Sequence, residues 1–218
     1  MSDQRDRGIV LRLHPYSDTS WIVHWLTAEQ GRIATLARGA RRPKSALYGK
    51  LDLMVEAELS YVPARRSTLH TLREVVPETR HPAIREDYQK LLQSAHAVAL
   101  LERSTESDTP VPELYELLLE WMREMESRPA QPRWILAFEA RLLEALGLDP
   151  VAAAATTSAR PETLQILTQL THAPWVELTE LQASGRTVRQ VREFLRSRWV
   201  DAFGSVPPTR TAALGEEG

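Results

Sequence analysis

Hydrophobic and polar positions follow two different rhythms along this chain, and the change falls near Pro77. Before it, short runs rich in β-branched and aromatic residues are separated by turn residues. Gly8-Ile9-Val10-Leu11-Arg12-Leu13 is one such run, closed by Pro15, and Trp21-Ile22-Val23-His24-Trp25-Leu26 is a second. Glu29-Gln30-Gly31 makes a turn ahead of Arg32-Ile33-Ala34-Thr35-Leu36. Between residues 53 and 61, Leu53, Val55, Ala57, Leu59 and Tyr61 hold the odd positions and Met54, Glu56, Glu58 and Ser60 the even ones. That alternation sends one set inward and the other to water. Residues 68–76 supply a fifth strand. Five short strands in about 70 residues build a small antiparallel barrel, and the period fits an OB-fold or an SH3-like barrel.

After Pro77 the spacing becomes helical. Ile84, Tyr88, Leu91, Leu92, Ala95, Val98 and Ala99 share a face, as do Leu114, Leu117, Leu118, Trp121 and Met125. Ile135, Phe138, Leu142, Ala145 and Leu146 form a third stripe, with Gly147 as its stop. Residues 152–158 read as a small-residue linker. Helices follow over residues 161–170 and near residues 179–183. The last begins at Thr187, which forms a capping box with Gln190 and buries Val188, Val191, Leu195 and Trp199. From residue 204 the chain reads as a frayed tail. The expected fold class is α+β, a barrel followed by an all-helical domain.

Composition narrows the chemistry. The 218 residues include 27 Lys+Arg and 29 Asp+Glu, a formal charge of −2, with 43% hydrophobic side chains and no cysteine. Such a chain fills a real core, and it has no thiol for catalysis, disulfides or cysteine-held metal. No apolar run approaches the length of a membrane helix and the opening residues lack a signal-peptide core, so a cytoplasmic protein is expected. The near-neutral total hides a division. Residues 1–80 carry 13 basic and 9 acidic side chains, a net of +4, and the remainder carries a net of −6. Only the front half points to nucleic acid.

Arg38-Gly39-Ala40-Arg41-Arg42-Pro43-Lys44-Ser45 places four cations within seven residues between two expected strands. A basic loop of this kind can follow a phosphate backbone and release its counterions, and it can also be a solvated loop. Arg32 and Lys50 flank it. Trp21, Trp25 and Tyr48 are the nearby aromatics on which unpaired bases could stack, although the tryptophans fit the barrel core better. Lys44-Ser45 imitates the end of a nucleotide-binding loop, but Arg38 and Pro43 stand where its glycines belong, so no phosphate cradle forms. The six histidines show no metal-binding spacing, and no nucleophile elbow or carboxylate pair stands out. Arg189, Arg192 and Arg196 line one flank of the last helix, which fits a second polyanion contact or, better, a solvated face. No catalytic residue, cofactor or metal is expected.

Four segments together, Gly8-Ile-Val-Leu-Arg12, Tyr16-Ser-Asp-Thr-Ser20, Thr27-Ala-Glu-Gln-Gly-Arg32 and residues 37–45, resemble the N-terminal region of the RecO recombination mediator family. Phe138-Glu-Ala-Arg-Leu-Leu-Glu-Ala-Leu-Gly147 resembles that family's central helix, and residues 163–203 its closing helices. The resemblance implies an OB-fold over residues 1–79, a helical domain over 80–206 and a flexible tail over 207–218. It implies a non-enzymatic mediator of DNA repair, associated with the nucleoid, that binds single- and double-stranded DNA and anneals complementary strands. It also implies partnership with RecR, and the loading of RecA onto DNA coated by single-stranded-DNA-binding protein. The family's basic barrel residues fall on Arg38, Arg41, Arg42 and Lys44. Many members carry a four-cysteine zinc module where this chain has a short, cysteine-free stretch, which marks a zinc-less form. Some carry a basic pair that grips the acidic tail of single-stranded-DNA-binding protein, where this chain has Leu136 and Ala137. Arg133 and Arg141, beside Phe138, are the candidates to replace it. The rival reading is a protein-only adaptor whose basic loop docks a partner such as RecR.

Overall fold

The computed structural model describes residues 3–157 and 159–215. They divide into two compact units: Met1–Pro82 with Thr105–Met122, and Ala83–Ser104 with Arg123–Gly218. The first is the barrel. Its strands β1 (Gln4–Ser17), β2 (Ser20–Thr27), β3 (Gly31–Ala37), β4 (Glu56–Val62) and β5 (Leu69–Thr79) close in the order β1-β2-β3-β5-β4. Every pairing is antiparallel except β3 with β5, where Ala34, Thr35 and Leu36 lie beside Leu69, His70 and Thr71 in parallel. That order, with one parallel closure, gives an OB-like barrel, a distinction that periodicity leaves open. Val10, Val23, Trp25, Ile33, Ala57, Leu59, Tyr61 and Val75 fill it. The buried indole of Trp25 donates to Thr35 Oγ1 at 2.9 Å, which removes it from the candidate stacking rings.

Three features differ from the sequence pattern. Pro15 does not close β1; it pairs with Trp21, next to a register shift, where a strand tolerates a residue without an amide hydrogen. The strict alternation over residues 53–61 fails at its start: β4 begins only at Glu56, Leu53 is exposed, and Met54 is buried with φ +58°. The even face is only partly in water, with Glu58 exposed but Glu56 and Ser60 buried. Finally, residues 105–122 belong with the barrel rather than with the other helices. Arg32 holds them there, its Nε donating to Thr105 Oγ1 at 2.7 Å and its Nη2 to the Thr105 carbonyl at 2.6 Å. The Asp108 amide returns a bond to the Arg32 carbonyl at 2.8 Å. Gly31 allows the approach: a Cβ there would sit 1.8 Å from the Thr109 carbonyl oxygen, and its φ is +71°.

The helices are α1 (Pro82–Glu86), α2 (Tyr88–Ser104), α3 (Pro112–Ser127), α4 (Pro132–Ala145), α5 (Pro150–Thr156), α6 (Pro161–His172), α7 (Gly185–Phe203) and α8 (Arg210–Ala213). None is long and apolar enough to cross a membrane. The stretch expected as a linker from residue 152 is mostly α5; of it, Ser158 lies outside the described residues. The Asp149 carboxylate accepts from the amides of Val151 and Ala152, Pro150 opens the first turn, and the alanines that follow favour helix. A 3-10 turn at Trp175–Glu180 stands near the helix expected at 179–183. The cap of α7 is Ser184, whose hydroxyl accepts from the Thr187 amide at 3.1 Å; Thr187 itself is buried one turn inside. Gly147 stops α4 with φ +76°, and the Leu148 amide reaches back to the Leu143 carbonyl at 2.9 Å.

The expected flexible tail from residue 207 is replaced, up to residue 215, by a packed return of the chain. Arg210 in α8 is buried and clamps Glu139 of α4 with two bonds, at 2.7 and 2.8 Å. Ala213 and Leu214 are buried beside it. Residues 216–218 lie outside the described residues.

Candidate nucleic-acid interface

The basic loop leaves β3 at Ala37 and descends through successive tight turns. Amides of Arg42, Ser45, Tyr48 and Lys50 each donate to the carbonyl three residues earlier. Buried Ala40 and Leu47 pin this chain of turns to the barrel core, so the polar residues between them face outward. A second set of bonds fixes the loop to the β1–β2 turn. The Arg41 amide donates to the Thr19 carbonyl at 3.0 Å, and the Gly39 amide to Ser20 Oγ at 3.1 Å. Arg41 Nη1 donates to the Ser17 carbonyl at 3.1 Å, and its guanidinium lies 4.9 Å over the Trp21 ring.

Arg38, Arg41, Arg42 and Lys44 are all exposed, and Lys50 is half-exposed at the loop's end. Among the described residues, the side chains of Arg38, Arg42 and Lys44 have no hydrogen-bond or ion-pair partner. Three cations held at fixed spacing without internal counter-charges are an arrangement that an external polyanion completes. Arg32 is not part of it. It stands roughly 17 Å along β3 from Ala37, five residues at strand rise, and its guanidinium is spent on Thr105.

Two features escaped the sequence reading. Arg65 and Arg66 are exposed on the turn between β4 and β5, one of the loops through which OB barrels bind their ligands. An Arg-Arg pair in the segment Pro63-Ala64-Arg65-Arg66-Ser67-Thr68 was the available signal. The other is Tyr16, beside the loop, whose ring is 58% exposed.

In the helical unit the structure separates the three candidate tail-binding residues. Phe138 is fully buried in α4, so it cannot face a ligand; its place in the helical stripe already put it on the core side. Arg141 donates to the carbonyls of Leu170 and Ala173 at the end of α6 and stacks 3.8 Å over Trp175. It serves as a helix-end clamp. Arg133 bonds the carbonyls of Leu178 and Thr179 at 2.7 and 2.6 Å. Yet Arg133 also borders an apolar groove of about 380 Å³ lined by Leu136, Ile166, Leu170 and Val188, with Arg192 on its edge. A basic rim beside an apolar floor therefore exists here, built on Leu136 rather than on Phe138.

Two family models match the chain: "Recombination protein O N terminal" over residues 1–79 and "Recombination protein O C terminal" over residues 85–154. Together they cover more than half of it, and the first coincides with the barrel strands. Among curated relatives, the DNA repair protein RecO of Rhodopirellula baltica is 32% identical over 70% of this chain and 57% of its own length. That of Bacillus subtilis is 32% identical over 66% of this chain and 55% of its own length. That of Actinobacillus pleuropneumoniae serotype 7 is 34% identical over 67% and 60%. The chain thus spans between 55 and 60% of the length of these relatives. With an OB-like barrel in front, helices behind, and both halves matched in order, this chain belongs to the RecO family.

Proposed function

We propose that this chain is a non-enzymatic mediator of recombinational DNA repair that grips DNA phosphates on the loop of residues 38–50. The observation that carries the reading is the set of exposed cations Arg38, Arg42 and Lys44, which have no partner among the described residues, fixed to the barrel end through Arg41. Support comes from the relatives, which are DNA repair proteins. Arginine and lysine on phosphate carry no base information, so the grip accepts single and double strands of any sequence. Partial neutralisation of two strands by contacts that exchange easily is what annealing requires. Arg65 and Arg66 extend the positive surface. No cofactor or metal takes part in this reading, and its setting is the cytoplasm, at the nucleoid.

RecR, and through it RecA loading, belong to the same proposal. The groove beside Arg133 is its site for the tail of single-stranded-DNA-binding protein, since an acidic peptide ending in an apolar residue needs a cation beside an apolar floor. The experiment is a titration of labelled single-stranded DNA across a salt series. If Arg38, Arg42 and Lys44 each neutralise a phosphate, log K against log salt slopes at about −2.1. Arg41→Glu with Arg42→Glu weakens binding alike on every sequence. Unchanged affinity in that variant overturns the proposal and leaves the loop as a dock for a protein partner.

A further inference from the structure

The first hairpin holds a side chain that neither the fold nor the phosphate grip uses. Pro15 pairs with Trp21 and Ser17 pairs with Ser20, so Tyr16 is the extra residue of a bulge. Bulges bend the strand locally and re-aim a side chain, and they recur beside binding sites. The Tyr16 ring is 58% exposed, and its hydroxyl has no partner among the described residues. Tyr48 and Tyr88 are exposed as well, so exposure alone gives Tyr16 no role, and its place must supply a reason. Its position supplies one: Ser17, the next residue, accepts from the guanidinium of Arg41 at 3.1 Å. The ring is thereby held one residue from a cation of the basic loop.

We propose that Tyr16 is a stacking platform for an unpaired nucleobase, which makes the site favour single-stranded over double-stranded nucleic acid. This rests on the reading of the loop as a phosphate grip. Paired bases keep both faces against their neighbours inside a duplex, and a flat ring on the protein cannot reach them. A single strand whose phosphates lie on Arg41 and Arg42 can turn one base onto the adjacent ring. Stacking of this kind tolerates any base, because each has a π face, and it changes affinity by roughly 5- to 150-fold per base.

The test uses the whole chain and three probes of one length: a single-stranded oligothymidylate, the same backbone with abasic residues, and a duplex. Tyr16→Ala is expected to weaken the oligothymidylate by about tenfold and to leave the abasic strand and the duplex unchanged. Its salt slope on the oligothymidylate stays at the wild-type value, because no phosphate contact is lost. Tyr16→Phe retains binding, while Tyr16→Leu, which keeps bulk without a π face, behaves like the alanine variant. Wild-type affinity of Tyr16→Ala for the oligothymidylate overturns the proposal. So does equal loss on all three probes, which would make the ring a support for the loop or a contact for protein. Failure of the underlying reading looks different: Arg42→Glu would then change none of the three affinities.

Discussion

Glu139 is the most exacting side chain in the helical unit. It is wholly buried, and it accepts from Arg210 through both oxygens and from His96 Nε2 at 2.9 Å. Burial alone would raise its pKa above the ordinary 4.5, but the hydrogen bonds from His96 and Arg210, with the Arg210 charge, pull it below. A carboxylate depressed in the fold adds stability above its unfolded pKa, and that contribution is lost as pH falls. The stability of the wild type should therefore start to fall as pH drops past the ordinary 4.5 and keep falling until Glu139 itself is protonated, below that value. Removing one partner strands the other charge in the core, so Arg210→Ala should cost about 3–5 kcal/mol in urea unfolding. A cost below about 1 kcal/mol, the scale of a surface pair, would show that the chain end is not held there. The barrel has an alkaline counterpart. Burial, helped by Asp6, pushes Tyr61 up to about 12, and burial, helped by Glu56, does the same for Tyr115. Their neutral forms stabilise the fold fully below the ordinary value of 10.0, and this is lost as pH rises toward 12. Absorbance at the tyrosinate band should show the two rings ionising together with unfolding.

At the scale of elements, the groove between α4, α6 and α7 makes a separable claim. A fluorescent acidic peptide ending in an apolar residue should bind there, and Arg133→Ala should weaken it several-fold. Phe138→Ala should instead lower stability by about 3–5 kcal/mol, since it empties a buried site. Equal peptide affinity in wild type and Arg133→Ala would place the tail elsewhere. These elements also show what could be read from the chain in advance. The strands were legible because β-branched runs and Gly-containing turns are local signals, and the cations of the loop because they are contiguous. The helix α5 was misread although its capping Asp149, its Pro150 and its alanines were all present. Small size suits a linker, but a run of alanines is also the best helix former. Phe138 has a place both in the family motif and in the apolar stripe, and the stripe decides where it lies. The exposure of Tyr16 could not be read at all, since a bulge shifts register through pairing with another strand.

On the scale of the whole molecule, charge does not divide as the two units do, because residues 105–122 bring five acidic and no basic side chains into the barrel unit. The +4 of the first 80 residues sits on a chain whose total is −2, so DNA affinity should come from a local patch and not from a general attraction. At physiological salt, charges more than about 8 Å from the phosphates are largely screened. Reversing Arg189 and Arg196 on α7 should then leave DNA affinity within about twofold of wild type, in contrast to Arg41 and Arg42. A large loss in that variant would mean that the helical unit touches DNA directly.

The bond from Arg32 to Thr105 joins residues 73 apart, and its consequence lies in the order in which the protein can be made. A chain emerging from the ribosome has all five strands before it has the segment that receives Arg32 and carries Tyr115. The helix α2, which belongs to the other unit, is synthesised in between. Closing a loop of that size costs several kcal/mol of chain entropy, on the order of 4 by the logarithmic rule, before the contact returns anything. The nascent barrel must wait, its parallel seam formed but one side bare. A gene truncated at residue 82, which would look like a clean domain cut, should accordingly yield a barrel of lower melting temperature and greater tendency to aggregate than one extended through residue 122.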